Sequence, residues 1–588
     1  MLKRRAFALG IAAFVASSTL AVAAETPAWI QRSNEDAQPL LKVLGDFGPE
    51  FAARTGVAGY DDKVTQIPPD VNEKFRKAAG AVRDELKARL AAEKDPLVQQ
   101  DLKIMIEAAT LQIDSSTLNE KYLLPYTNVG QTIFFGEFNL LQDQVDEKRR
   151  PSALTRLNRY TGLEKGYTPL TEQAKAQFEA ALKNKALLGP FKGQVEQDLG
   201  NTASYVDGIR KLFAKYHVDA TSQVDALQKQ FDEYAAWTKS TVLPKARTTY
   251  SLPPELYALA LKNVGIDIDP RTLLERAQLE FMETRAAMQQ LAPLVAKEKG
   301  IAATDPIGVI RALKVKQLPN DQIEPFYRST ILPGLDRIIA TNRIVSLPNR
   351  PMQMRLGSDA ENAAQPAPHF LPAPLVGNTG QQGTFVLPLG NPNAKGDGAY
   401  DDFNYPSAAW TLTAHEGRPG HELQFTAMVE RGVSLARTLF AFNSVNVEGW
   451  ALYAEAETVP YEPLDGQLIA LQFRLLRAAR AMLDPMLNLG LTDRDTALKV
   501  LTDQVGFSKA MARQEIDRYT VNSPGQAGSY FYGYSRIEQL RAETELALGD
   551  RFDRKAFNDF LLDQGLLPPD LLAKAVREQF VPREKARG

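Results

Sequence analysis

The sequence predicts a mainly α-helical protein with one small β-sheet, and three observations carry that prediction. Long stretches place apolar residues at the helical period of 3.6. One region alone, Pro351 to Tyr405, breaks this habit and is rich in Pro, Gly and Asn. Within it, "GTFVLPL" (Gly383–Leu389) is a short run of β-type composition bounded by glycine.

The chain of 588 residues opens with "MLKRRAFALGIAAFVASSTLAVAAET". Lys3, Arg4 and Arg5 form a basic start, Ala6 to Leu20 is mostly apolar, and Ala21-Val22-Ala23 or Val22-Ala23-Ala24 offers a small-residue cleavage site. Residues 1–24 thus read as a secretory signal peptide; the rival reading is an uncleaved anchor. No other stretch has the 18 or so uninterrupted apolar residues of a spanning helix. The chain has no Cys, so it has no disulfide, no lipidated cysteine and no thiolate ligand. Export without disulfides points to a bacterial periplasm. Removing the three basic residues of the leader from 69 leaves 66 against 71 acidic residues. That balance argues against nucleic acid or an anionic membrane surface as a partner. A mature chain of about 560 residues is long enough to be stabilised by a large core.

Helical patterns follow near 71–94, 97–119, 171–187, 202–216, 221–240 and 322–344. In "DPRTLLERAQLEFMETRAAMQQLAPLV", Leu274, Ala277, Phe281, Met288 and Leu291 keep an a/d spacing, and Asp269 with Pro270 supplies a cap and a first-turn proline. These segments make residues 25–345 a helical N-terminal half forming one side of a cleft. Residues 346–588 form the other half. It contains the strand run, expected to be the edge of its sheet and able to pair with an extended peptide, and helical patterns near 462–489, 494–504, 508–518 and 568–579.

The region that holds the strand run ends at Tyr405, just before the helix that carries "TAHEGRPGHELQ" (Thr413–Gln424), a stretch that resembles the zinc motif H-E-x-x-H without matching it. That motif sets two His at i and i+4, on one helix face. Here His415 and His421 are six apart, with Pro419 and Gly420 between them. The chain has only four His, at 217, 369, 415 and 421, so two within seven residues stand out. The bland alternative is a pair of ordinary polar helix residues. A helix starting at Pro406 and ending near Gly417, then restarting at Pro419, accommodates the proline. On a straight helix His421 would point about 120° away from His415. A two-residue bulge at Gly417 and Gly420 brings it back.

A catalytic zinc takes three protein ligands and keeps one position open. In "NVEGWALYAEAE", Glu448 is the candidate third ligand. Glu455, seven residues on and on the same face, is the candidate acceptor for an imidazole N–H. Each carboxylate taken alone also reads as a solvated helix residue. Glu416 directly follows the first His, as the general base does in H-E-x-x-H enzymes. Donors for an oxyanion are offered by "DRYTVNSPGQAGSYFYGYSRIEQLR", where Tyr530 and Tyr534 are i, i+4 neighbours and Arg518, Arg536 and Arg541 lie close in sequence. Aromatic packing is the alternative for either Tyr.

"HEGRPGHELQ", "EGWALY" and "RYTVNSPGQAGSYFYG" together resemble the bacterial family catalogued as domain of unknown function 885. That family is regarded as zinc-peptidase-like and related to gluzincins, so the resemblance implies a gluzincin- or oligopeptidase-like helical catalytic fold. It implies one Zn2+ ion with His415, His421 and Glu448 as ligands and Glu416 as base. It also implies functional weight on Gln424, Arg518, Tyr519, Gln526 and Tyr530. The chain departs from the family in having Glu422 where many members carry another His, and "GTFVLPLGNPN" in place of a R-P-G-x-[FY]-x-x-N strand. The leading expectation is an exported zinc peptidase acting on short peptides. The alternatives are a zinc amidase on a peptidoglycan-derived or non-peptide amide, and a non-catalytic helical binding protein with a vestigial metal site.

Overall fold

Proline sets where many of the helices begin. Pro96, Pro151, Pro254, Pro270 and Pro306 each occupy the first helical turn, where a missing N–H leaves no bond unmade. Aspartates precede three of them. Asp95, Asp269 and Asp305 accept from the amides of Leu97, Arg271 and Gly308 at 2.8–2.9 Å. The computed structural model describes residues 26–587, apart from 359–360, 363–364, 366 and 390–395. The expected leader, 1–24, lies outside the described residues. The chain is mainly α-helical, with one three-stranded mixed sheet. Among the described residues no helix is long and apolar enough to cross a membrane.

The elements that position the site begin with α1 (Ala28–Phe47), α2 (Pro96–Tyr122) and α3 (Pro270–Lys299). After them come β1 (Gln353–Leu356), β2 (His369–Leu371) and β3 (Thr384–Leu387). Then follow α4 (Ala408–Glu416), α5 (His421–Ala427), α6 (Ser444–Thr458), α7 (Leu464–Asn488), α8 (Lys509–Asp517) and α9 (Ser529–Leu548).

Apolar side chains from early and late parts of the chain share two large cores. Leu40 and Leu41 of α1 and Leu102 and Met105 of α2 are buried with Trp450, Tyr453 and Ile537. Phe281 and Met288 of α3 are buried with Leu468, Leu475 and Leu476 of α7. The a/d face expected of α3 is realised, with Leu274, Ala277, Phe281 and Met288 buried and Leu291 packed partly buried against the same core. A third cluster, including Val129, Ile133, Leu157, Ile209 and Phe231, belongs to the early helices alone.

The sheet order is β1–β3–β2, with β1 parallel and β2 antiparallel to β3. This corrects the expectation that Thr384–Leu387 is an edge strand. All four of its residues are buried and both of its sides are already paired, so its backbone has no free edge for a peptide. An uninterrupted apolar run is the pattern of a strand covered on both faces. The sheet does lie against the motif helix, because Met354, Phe385 and Leu387 pack with Ala409 and Ala414 of α4.

One contact fixes how α6 crosses α9. A Cβ on Gly449 would sit 2.6 Å from the Gly533 Cα, and one on Gly533 would sit 1.9 Å from the Val445 carbonyl oxygen. Only two glycines allow this approach. It brings Glu448, beside Gly449, and Tyr530, one turn before Gly533, to the same cleft.

Candidate metal centre

The two histidines come from separate short helices joined by a turn. The first helix begins at Ala408 and the second at His421, each two residues later than expected from Pro406 and Pro419. Pro419 lies in the turn, after a cis Arg418–Pro419 bond. The turn is tied down on both sides. The Trp450 indole donates to the Pro419 carbonyl at 3.0 Å, and Arg418 donates from Nε to the buried Glu422 carboxylate at 2.7 Å. Arg350 adds a bond to the same carboxylate at 3.2 Å. Glu422, the departure from the family pattern, therefore faces these two guanidiniums. Gly420 packs directly on the end of α4, where a Cβ would meet the His415 carbonyl oxygen at 1.9 Å. This close approach turns His421 back toward His415, and the two rings stand 4.8 Å apart at 80°.

The three proposed ligands converge. Glu448 Oε2 lies 3.4 Å from His415 Nε2 and 3.4 Å from His421 Nε2, and the three donor atoms are all within 4.8 Å of one another. Ligands about 2.0–2.1 Å from a tetrahedral ion stand roughly 3.3–3.4 Å apart, so the two carboxylate–imidazole spacings are those of atoms that could share one ion. Glu448 Oε2 and His421 Nδ1 are buried and have no hydrogen-bond partner among the described residues. Buried polar atoms without partners are costly, and a cation at the centre of the group would satisfy the carboxylate.

Glu455 holds the first ring. His415 Nδ1–H donates to Glu455 Oε1 at 2.7 Å, which leaves Nε2 as the ring nitrogen directed at Glu448. Thr411 and Arg477 also donate to Glu455, Arg477 at 3.1 Å. Burial works against ionised Glu455, but Arg477, His415 and Thr411 keep its acidity stronger than usual. Burial likewise disfavours a charged His415, yet Glu448, Glu455 and Glu416 outweigh it and push the imidazole up to about 9. Against its own burial, Glu448 is held well below the carboxylate range by the two imidazoles. The site attracts positive charge, which is the electrostatic condition for binding a cation.

Glu416 lines the cleft with Oε1 3.9 Å from His415 Nε2. On the other side, the Tyr530 ring stacks at 6.2 Å and 17° on the His415 ring. Arg518 donates to the Tyr530 oxygen at 2.8 Å and to Gln526 Oε1 at 2.9 Å. Gln526 in turn donates to Ser444 at 2.9 Å. Tyr519 is fully buried and donates to Glu515 at 2.7 Å, beneath the cleft wall. Gln424 is buried and donates to Asn446 at 2.9 Å, tying α5 to α6 away from the cleft.

The remaining donor candidates are placed elsewhere. Tyr534 packs under the Arg474 guanidinium at 4.8 Å and does not line the cleft. Arg536 bonds Tyr532 and Asp570, and Arg541 bonds Tyr453 and Glu457. Two arginines not anticipated from sequence stand at the site. Arg477 bonds Glu455, and Arg480 makes a two-pronged pair with Glu515 at 2.7 and 2.6 Å. Despite burial, Arg480, Arg518 and Tyr519 pull Glu515 down to about 2. The signal was "RLLRAARAML", an apolar helix interrupted by Arg474, Arg477 and Arg480 at intervals of three.

The centre opens into a cleft of about 1670 Å³. Its far wall carries Phe47, Phe51, Phe75, Phe135 and Phe138 from the N-terminal part of the chain, and its near wall includes β2.

Residues 49–576 match the family described as bacterial protein of unknown function (DUF885). This chain belongs to DUF885. Two solved structures share its fold. One is described as a "putative lipoprotein" from Colwellia psychrerythraea, with TM-score 0.73, 19% identity, and 94% of this chain and 99% of that chain covered. The other is described as a "putative lipoprotein of unknown function" from Shewanella oneidensis, with TM-score 0.69, 19% identity, and 94% and 100% covered. None of the curated proteins matches the chain. The DUF885 match includes the whole His415–His421–Glu448 group, which could hold a metal ion.

Proposed function

We propose that this DUF885 chain is an exported peptidase that uses one zinc ion, held by His415, His421 and Glu448, to hydrolyse short peptides. The observation that carries the reading is Glu416, an acid facing the cleft beside the donor set, 3.9 Å from His415 Nε2. A purely structural metal site needs no such residue. Bound zinc would supply a Lewis acid that polarises a carbonyl and acidifies a water. Glu416 takes the proton from the attacking water and passes it to the departing amine. Tyr530 receives a hydrogen bond from Arg518 on its oxygen, so its own O–H is available to the carbonyl oxygen as charge develops there. Glu455 keeps His415 in the tautomer that offers Nε2.

The cleft supports short substrates. Its phenylalanine wall suits apolar side chains, and its volume of about 1670 Å³ suits a short peptide better than a folded chain. An extended peptide can add to β2, the strand on the cleft side of the sheet, whose outer edge is paired by no other strand among the described residues. Export accords with the description of both structural relatives as lipoproteins. This chain has no cysteine to carry a lipid.

The test is Glu416→Gln. The variant should retain zinc at a one-to-one ratio and lose at least about 100-fold in peptide hydrolysis. Retained activity, or wild-type protein that takes up no zinc, would defeat the reading. Efficient digestion of casein with poor cleavage of short peptides would defeat the assignment of substrate size.

A further inference from the structure

Resting on the peptidase reading above, we infer that Arg518 anchors the C-terminal carboxylate of the substrate, so that the enzyme removes residues from the free C-terminus of short peptides.

The inference starts from how the arginines around Tyr530 are paired. The guanidiniums of Arg477, Arg480 and Arg518 stand 5.8, 4.6 and 5.3 Å from the centre of the Tyr530 ring. Arg477 is bonded to the Glu455 carboxylate. Arg480 takes both oxygens of Glu515. Arg518 is left without a carboxylate in hydrogen-bond contact. Its Nε and Nη2 are spent on the neutral Gln526 and Tyr530, and its Nη1 only approaches Glu515 Oε1, at 3.6 Å. Its side chain lines the cleft and is a quarter exposed, whereas those of Arg477 and Arg480 are closed off at 6% and 7%. Of the three, the guanidinium least committed to a carboxylate is therefore also the one a ligand can reach.

Charge balance points to an anion. Glu416, Glu448, Glu455 and Glu515 set four carboxylates against these three guanidiniums. A divalent cation turns that deficit of one into an excess of one, the charge that a single carboxylate cancels. With Nε and Nη2 engaged, Nη1 keeps its N–H groups for a charge-assisted hydrogen bond to a carboxylate oxygen. Arg518 also touches the Tyr530 hydroxyl at 2.8 Å, so a carboxylate held there lies only one or two residues beyond the carbonyl that Tyr530 polarises. This position sets an exopeptidase register.

The test pairs a binding measurement with cleavage. Zinc-loaded Glu416→Gln protein is titrated by calorimetry with N-acetylphenylalanine, its amide, and N-acetylglutamic acid diamide, which carries neither kind of carboxylate, alongside N-acetylglutamate α-amide, which carries only the side-chain one. The free acid should bind about 10- to 100-fold more tightly than its amide, and adding Arg518→Gln should erase the difference. Wild-type enzyme should release one or two residues from a peptide acid and leave the C-terminal amide nearly uncut. Equal binding of acid and amide overturns the inference, as does tighter binding of the glutamate α-amide or equal cleavage of acid and amidated peptides. If Arg518→Gln does not fold, the comparison of acid and amide with Arg518 intact still decides. Tight binding of the acid with no cleavage of any peptide by the wild type would leave the carboxylate site standing and remove the peptidase reading. Cleavage without a carboxylate preference would do the reverse.

Discussion

Replacing Gly420 with alanine probes the packing that lets six residues do what four do in a straight zinc helix. The added Cβ would lie 1.9 Å from the His415 carbonyl oxygen and 2.5 Å from that of Ala414. Both are backbone atoms, so no change of rotamer relieves the clash. A comfortable carbon–oxygen contact is about 3.3 Å, so α4 and α5 must part by roughly 1.4 Å. Metal ligands tolerate about 0.2 Å of displacement. A shift this large takes His421 out of a shell shared with His415 and Glu448. Overpacking should cost the metal-free fold about 1–3 kcal/mol. Zinc affinity should fall by more than the roughly 10- to 100-fold typical of losing a supporting residue. Competition against a chromogenic zinc chelator measures the affinity, and thermal melts with and without zinc separate the two effects. The zinc-dependent rise in melting temperature should disappear in the variant. Gly420→Ala protein that binds zinc within about two-fold of wild type would refute the reasoning.

Three other outcomes are expected. Glu455→Gln keeps the shape of the His415 partner and removes its charge, so zinc affinity should fall about 10- to 100-fold in the same competition assay, and unchanged affinity would argue that His415 is oriented by packing alone. Tyr530→Phe should lower kcat by about 100-fold with KM little altered, and a change confined to KM would make Tyr530 a binding residue instead. Burial, aggravated by the charge of Glu455 and only partly offset by Thr458, pushes Glu462 up to about 8. The fold holds this acid protonated, so its contribution is full below its unfolded value of roughly 4.3 and is lost as pH rises through about 8. Glu462→Gln should therefore melt about 2–4 °C above wild type near pH 9 and show no such gain near pH 4, and an equal shift at both ends would exclude titration as the cause.

His415, His421 and Glu448 were legible because a chain with four histidines has few to spare, and because a ligand set needs only residue types and a plausible return of the chain. Helix α3 was legible for a different reason. Its cap, its first proline and its apolar face all agree. Helix α1 carries no such agreement of signals, since Pro39 lies inside it and its tolerance there depends on the surrounding fold. The position of β3 in its sheet was also out of reach. β1 and β2 are four and three residues long, in a stretch dominated by Pro and Gly, and neither carries enough pattern to announce a strand. Arg477 and Arg480 show the same limit from the side of charge. An arginine on a helix reads as solvated until its buried partner, here Glu455 or Glu515, is known.

The contact between Gly449 and Gly533 fixes the shape of one part of the molecule. With backbone resting on backbone, α6 and α9 have no side chains between them to reorganise, so one cannot slide or rotate against the other without collision. Glu448 and Tyr530 thus travel as one block. The relative placement of an ion bound by the first and an oxygen bonded by the second is settled when the chain folds, before any substrate arrives. On the peptidase reading, admitting and releasing a peptide falls to the opposite bank, where Phe51 and Phe135 remain 41% and 37% exposed. Substitutions on that bank should change which peptides enter and how fast products leave, while the chemical step keeps its rate.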